Sequence, residues 1–142
     1  MRNSPQPLAI YRRSIVWLQH WKKTRPAVVL EVQDDKFVIY VPGSTQDRES
    51  DDVFTVCSGS LPAQKMGLSE TTYFQAGTVA VAKMNAVESV SGQCPMDLFV
   101  QLFALCKDPM ERVTDQLMRE LDQQGRDVLG PEPEQLGQVK SR

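Results

Sequence analysis

Histidine is almost missing, with His20 the only one in 142 residues. A histidine-rich metal site is therefore excluded, and any Ser-His-Asp relay has to pass through that one ring. Cysteine is scarce and odd in number. Cys57, Cys94 and Cys106 share no CxxC spacing, which argues against a disulfide framework or a zinc ribbon and reads as three reduced core thiols. Neither GxxxxGKS/T nor GxGxxG occurs, so no phosphate loop or dinucleotide fingerprint is available, and neither a metal nor a nucleotide cofactor is expected. No apolar run approaches the roughly 18 to 20 residues that cross a bilayer. The opening MRNSPQPLAIYRR lacks the apolar stretch of a secretory signal, so the chain reads as soluble and cytoplasmic, with no membrane partner.

Acid is absent from the first 25 residues, where Arg2, Arg12, Arg13, Lys22, Lys23 and Arg25 give +6 against -8 over the remainder. A basic segment containing Trp17, His20 and Trp21 suits phosphate pairing and base stacking, although a solvated basic end is the simpler reading of charge alone. Hydrophobic residues at 41% and charged residues at 24% are ordinary for a globular domain.

Short β-branched runs dominate the first half. Ile15–Leu18, Ala27–Val32, Lys36–Val41, Val53–Cys57, Thr72–Gln75 and Thr78–Ala82 read as strands, with a turn at Asp34-Asp35 and six connecting residues from Gln19 to Thr24. The stretch 58–71, holding Gly59, Pro62 and Gly67, reads as loop, and Gln75 and Thr78 read as ordinary outward strand residues, with lining of a binding groove as their alternative. Apolar residues at helical spacing predict one helix from Pro95 to Cys106 and another from Pro109 to Gln123. The fold class is therefore mainly β with C-terminal helices, a small antiparallel barrel or sandwich rather than a parallel α/β sheet. The chain divides into a basic extension over 1–13, the barrel with its terminal helix over 14–107, an amphipathic helix over 108–124, and a flexible tail over 125–142.

Two segments carry candidate chemistry. Arg25 precedes a rigid proline and a buried strand in Arg25-Pro26-Ala27-Val28-Val29-Leu30, and a planar guanidinium on a stiff stem suits phosphate oxygens. Val41-Pro42-Gly43-Ser44-Thr45-Gln46 ends a strand in two hydroxyls and an amide, and a hairpin brings its end near the start of the other. On local grounds Ser44 reads first as a turn former, and a surface ion-pair partner is the alternative for Arg25. His20 could serve as an acid or base at neutral pH, with a bystander role in a basic loop as its alternative.

With IVW at 15–17, RPAVVL at 25–30, VPGSTQ at 41–46, and Gly92 followed by Pro95 and Leu98, the chain resembles the MazF/PemK family of toxin endoribonucleases over roughly residues 14–107. The resemblance implies an SH3-like barrel of the MazF/CcdB type. It also implies a homodimer, a cognate antitoxin, and metal-independent cleavage of single-stranded RNA by the ribose 2′-hydroxyl. The family's catalytic arginine falls on Arg25 and its catalytic threonine on Ser44, and Thr45, Gln46, His20, Trp21, Lys22 and Lys23 are the expected RNA-binding residues. Arg13-Ser14 stand where the family usually begins its first strand with Gly-Asp, and the Gln19–Thr24 connection is shorter than the family's gating loop. A noncatalytic barrel that binds a nucleic acid or a protein is the alternative, since fold alone does not carry function.

Overall fold

The computed structural model describes residues 9–46 and 53–129, and side chains as far as residue 123. Seven strands and three helices follow in the order β1 (Ser14–His20), β2 (Lys23–Gln33), β3 (Phe37–Ser44), β4 (Val53–Val56), α1 (Leu61–Met66), β5 (Thr72–Gln75), β6 (Ala80–Lys83), β7 (Ser89–Gln93), α2 (Met96–Leu105) and α3 (Lys107–Leu129), with a 3₁₀ turn at Met84–Ala86. Every described strand pairing is antiparallel.

The sheet runs β4-β5-β3-β2-β1-β7, and β6 also pairs with β3. β3 uses both of its edges: β2 takes one, while β6 pairs Phe37–Tyr40 and β5 pairs Gly43–Ser44 along the other. The expected class holds, but the expected closed barrel does not. The sheet path ends at β4 and β7 without pairing them, and β7 is met by α1.

β2 reads as an almost continuous apolar run because both of its faces are covered. Val28 and Leu30 enter a core with Ile15, Val41, Phe74, Phe99 and Leu102. Ala27 and Val29 enter a second core with Val16, Leu18, Val38 and Tyr40. A bulge between Val29 and Glu31 resets the register to β3, so Val32 packs beside the second core rather than the first.

The β1–β2 connection is tighter than the sequence suggests. His20 pairs with Lys23, leaving a two-residue turn of Trp21 and Lys22, both left-handed at φ 56° and 68°. Such mirror-image turns match the right-handed twist of flanking strands, though Asn-Gly is the usual occupant. Between β2 and β3, where Gln33 pairs with Phe37, Asp34 and Asp35 are likewise left-handed at φ 55° and 54° in a three-residue connection closed by Lys36 N donating to the Gln33 carbonyl oxygen.

The expected loop at 58–71 contains α1. Its glycines and proline are helix punctuation: Ser60 Oγ accepts from Ala63 N at 3.2 Å, Pro62 lies in the first turn, and Gly67 closes the helix at φ 72°. Gly92 lets this helix dock, since a Cβ there would fall 2.2 Å from the Lys65 carbonyl oxygen. β7, SVSGQ, escapes a sequence reading because it has one apolar residue and its faces stay half-exposed.

α2 starts after Pro95 as expected, and α3 begins at Lys107, continuing through Gly125 to Leu129. The helix thus overruns the boundary expected at 124. The remainder of the expected tail, residues 130–142, lies outside the described residues, as do residues 1–8 of the basic extension and the polar loop 47–52. Among the described residues no helix is long and apolar enough to cross a membrane. Cys94 and Cys106 are buried and outside any disulfide, whereas Cys57, read as a core thiol, is exposed, because it follows the last residue of β4.

Candidate functional site

The ladder between β2 and β3 begins at Ala27 opposite Pro42. A proline has no N–H to donate, so Pro42, with Pro26 beside Ala27, limits how far the ladder can continue. Past this point β3 pairs with β5 instead, Gly43 opposite Phe74 and Ser44 opposite Tyr73, while β2 stays with β1, Arg25 opposite Leu18. Arg25 and Ser44 stand two residues beyond the last pair on either strand. By the two-residue alternation of strands they share the face that carries Ala27 and Pro42.

A cleft of about 460 Å³ opens there, lined by His20, Trp21, Arg25, Pro42, Gly43, Ser44, Gln75 and Thr78. A second hollow of about 230 Å³ shares Arg25, Gly43 and Ser44 with it and adds Trp17, Lys23, Thr24, Thr45, Gln46, Glu70 and Thr72. Gly43 is needed where the two meet. A Cβ on it would fall 2.7 Å from Thr72 Cγ2 and 2.8 Å from Phe74 Cε1, so only glycine admits β5 this closely.

Arg25 Nε donates to the His20 carbonyl oxygen at 3.0 Å. Its two terminal nitrogens make no ion pair among the described residues, which leaves the planar fork for an anion. Ser44 is buried, and its Oγ accepts from Gln46 N at 3.1 Å. The turn-forming and ligand-facing readings of Ser44 are thus compatible, because an oxygen that accepts from the turn still has its O–H to donate.

His20 Nδ1 lies 3.0 Å from Tyr40 Oη, and the two rings meet edge to face with centroids 5.7 Å apart. Burial, and then the positive Arg25, holds the imidazole pKa below its usual 6.5. Burial raises the Tyr40 pKa, so its phenol stays protonated. Trp21 is 78% exposed at the tip of the turn and edge-on to His20.

Of the residues singled out from sequence, Arg25, Ser44, Thr45, Gln46, His20, Trp21 and Lys23 line one or both hollows. Lys22 lines neither. Arg12 and Arg13 are not free phosphate ligands. Arg12 donates to the Leu30 carbonyl, pairs with Glu31 and lies over the Phe103 ring, while Arg13 Nε donates to the Cys94 carbonyl at 2.9 Å. For Gln75 and Thr78 the structure favours the alternative reading: both line the first cleft, because β5 ends and the chain turns at its rim. Gln75 Nε2 is buried there with no hydrogen-bond partner among the described residues. Among the described residues no three His, Cys, Asp or Glu side chains gather as a metal site would require.

An antiparallel sheet with C-terminal helices, and a cleft where β2 and β3 part, define a MazF-type fold. Solved structures similar to this chain include a MazE–MazF complex of Deinococcus radiodurans, at 15% identity and TM-score 0.55, covering 72% of this chain and 96% of that one. The Mycobacterium tuberculosis toxin MazF-mt6 is similar at 16% identity and TM-score 0.55, covering 70% and 97%. A mycobacterial endoribonuclease in complex with its cognate antitoxin is similar at 13% identity and TM-score 0.54, covering 69% and 91%. No protein-family model and no curated protein sequence matches the chain.

Proposed function

We propose that this protein is a toxin-type endoribonuclease that cleaves single-stranded RNA without a metal, the ribose 2′-hydroxyl attacking the adjacent phosphorus. The observation that carries the reading is that Arg25 and Ser44, brought together by two diverging strand ends, line the same two hollows. In this reading the Arg25 fork holds the phosphate oxygens and offsets the charge that builds on them in the phosphorane, and the Ser44 O–H donates a further hydrogen bond. Lys23, Thr45 and Gln46 extend the surface along the RNA backbone, and Trp21 offers a stacking face. The products are a 2′,3′-cyclic phosphate and a 5′-hydroxyl.

Neighbours of the same fold are described as a toxin and as complexes with an antitoxin, which supports a cognate antitoxin as partner, and we place the site of action in the cytoplasm. A homodimer fits α2, whose outward Met96 and Val100 are exposed apolar side chains one helical turn apart. The test is cleavage of single-stranded RNA in excess EDTA. Cleavage should leave a cyclic phosphate, spare DNA of the same sequence, and fall about 100-fold in Arg25→Ala. RNA binding without cleavage would return the protein to the noncatalytic binding module.

A further inference from the structure

Proton transfer is the part of this chemistry that Arg25 and Ser44 do not supply. A 2′-hydroxyl must lose its proton as it attacks, and guanidinium is a poor acceptor because it stays charged at every physiological pH. His20 is in the same cleft, on the same sheet face as Arg25, since its cross-strand partner is Lys23 and that of Arg25 is Leu18.

We propose that His20 is the general base of this site, its Nε2 accepting the 2′-hydroxyl proton, with Tyr40 as the positioning residue that fixes the ring through Nδ1. The inference rests on the ribonuclease reading given above. In the required tautomer Nδ1–H donates to Tyr40 Oη across the observed 3.0 Å, and the Nε2 lone pair is free. Tyr40 is itself buried in the second core, so its ring is held by packing and its hydroxyl is a fixed point against which the imidazole is aligned.

The groups that face His20 are Arg25 and Lys23 from β2, Tyr40 from β3, and the uncharged Trp21 from the turn. Among the described residues no carboxylate pairs with it. Burial and the neighbouring cation therefore keep it neutral at pH 7, as a base must be.

The step balances without any further reactant except water. The 2′-oxygen forms a bond to phosphorus as its proton passes to Nε2. The P–O5′ bond breaks, and its electron pair leaves on the 5′-oxygen. That oxygen gains a proton relayed through water from the imidazolium, which restores neutral His20.

The experiment is a single-turnover pH–rate profile in EDTA, using end-labelled single-stranded RNA of mixed sequence. In the wild-type protein the rate should rise with pH along a limb whose midpoint lies below 6.5, then level off. His20→Gln should lose that limb and fall about 100-fold on the plateau. Added imidazole should restore part of the rate of His20→Ala. Tyr40→Phe, which keeps the packed ring, should keep the limb and lose about 10-fold, because the base survives without its alignment. If His20→Gln keeps the wild-type rate and limb, the His20 assignment falls and the ribonuclease reading stands. If wild-type protein binds the RNA but leaves it intact, both fall. A His20→Gln variant that loses melting temperature but retains the limb would make the His20–Tyr40 pair structural and overturn the proposal.

Discussion

Arg25 Nε donates to the carbonyl oxygen of His20 at 3.0 Å, so the guanidinium of β2 is anchored to the end of β1 while its terminal nitrogens remain for the cleft. Only a side chain with several donors in a rigid plane can hold the backbone and an anion at once. Arg25→Lys keeps the charge but loses this division. Cleavage by the lysine variant should therefore fall by about 100-fold, close to the alanine variant, while the melting temperature moves by less than about 4 °C. Near-wild-type cleavage by the lysine variant would mean that bulk charge, not the anchored fork, is what the site uses.

Ser44 joins turn and cleft through one oxygen. Ser44→Ala removes the acceptor for Gln46 N–H, with a stability cost of about 1 kcal/mol, and removes the donor facing the cleft. Its cleavage rate should drop by about 100-fold, whereas Ser44→Thr should stay within about 10-fold of wild type because the hydroxyl is kept. Parallel rate and denaturation measurements on the two variants separate the two roles.

The Trp21-Lys22 turn trades stability for a side chain. Two non-glycine residues in the left-handed region cost about 1 to 2 kcal/mol each. Lys22 lines neither hollow, so Lys22→Gly should raise the melting temperature and leave RNA cleavage and affinity within about twofold. Trp21→Asn should also stabilise the turn but weaken RNA binding by about 10-fold, in line with loss of one stacking face. Fluorescence titration and thermal melting of the two variants check the pair.

Gly92 is a packing requirement. A Cβ there meets the backbone oxygen of Lys65 at 2.2 Å, and a backbone atom cannot swing aside as a side chain tip can. Gly92→Ala should cost about 1 to 3 kcal/mol by displacing α1 from β7. Gly59 provides the control. Its φ is 78° but nothing lies within 4 Å of its Cβ position, so Gly59→Ala should cost only about 1 kcal/mol. Urea denaturation of both variants reads the difference.

Much of the site was legible because its chemistry sits in two short segments on neighbouring strands. A hairpin from Ala27–Val32 to Lys36–Val41 suffices to bring Arg25 toward Ser44, and the β-branched runs show that hairpin directly. Gln75 was legible as a cleft residue only as the second of two readings. Its position depends on β5 pairing with the end of β3, which no local pattern announces. The His20–Tyr40 contact is likewise nonlocal, joining residues on two strands separated by β2. α1 was missed for a different reason. Ser60, Pro62 and Gly67 are loop formers by composition and helix boundaries by spacing, and six residues give too short a period to tell the two apart. The tight β1–β2 turn was hidden because Trp21 and Lys22 are poor occupants of its backbone conformation.

The lowered pKa of His20 makes stability depend on pH in a direction that can be worked out. In the unfolded chain His20 titrates near its usual 6.5, and in the folded protein burial and Arg25 hold it lower. Between those two values the unfolded chain binds more protons than the folded one, so stability falls as pH falls through this window. Above 6.5 both states are neutral at this residue, and its penalty is absent. The melting temperature of the wild-type protein should therefore decline as pH is lowered from 6.5, beyond any carboxylate effect that sets in at lower pH. His20→Gln cannot titrate and should lose this component, so the difference between the two melting curves should be constant above 6.5 and narrow below it. Arg25→Ala removes the second of the two causes but not the burial, and should shrink the slope without abolishing it. A gap between wild type and His20→Gln that stays constant from pH 7.5 down to 5 would show that His20 has the same proton affinity folded and unfolded, contrary to its half-buried position beside Arg25.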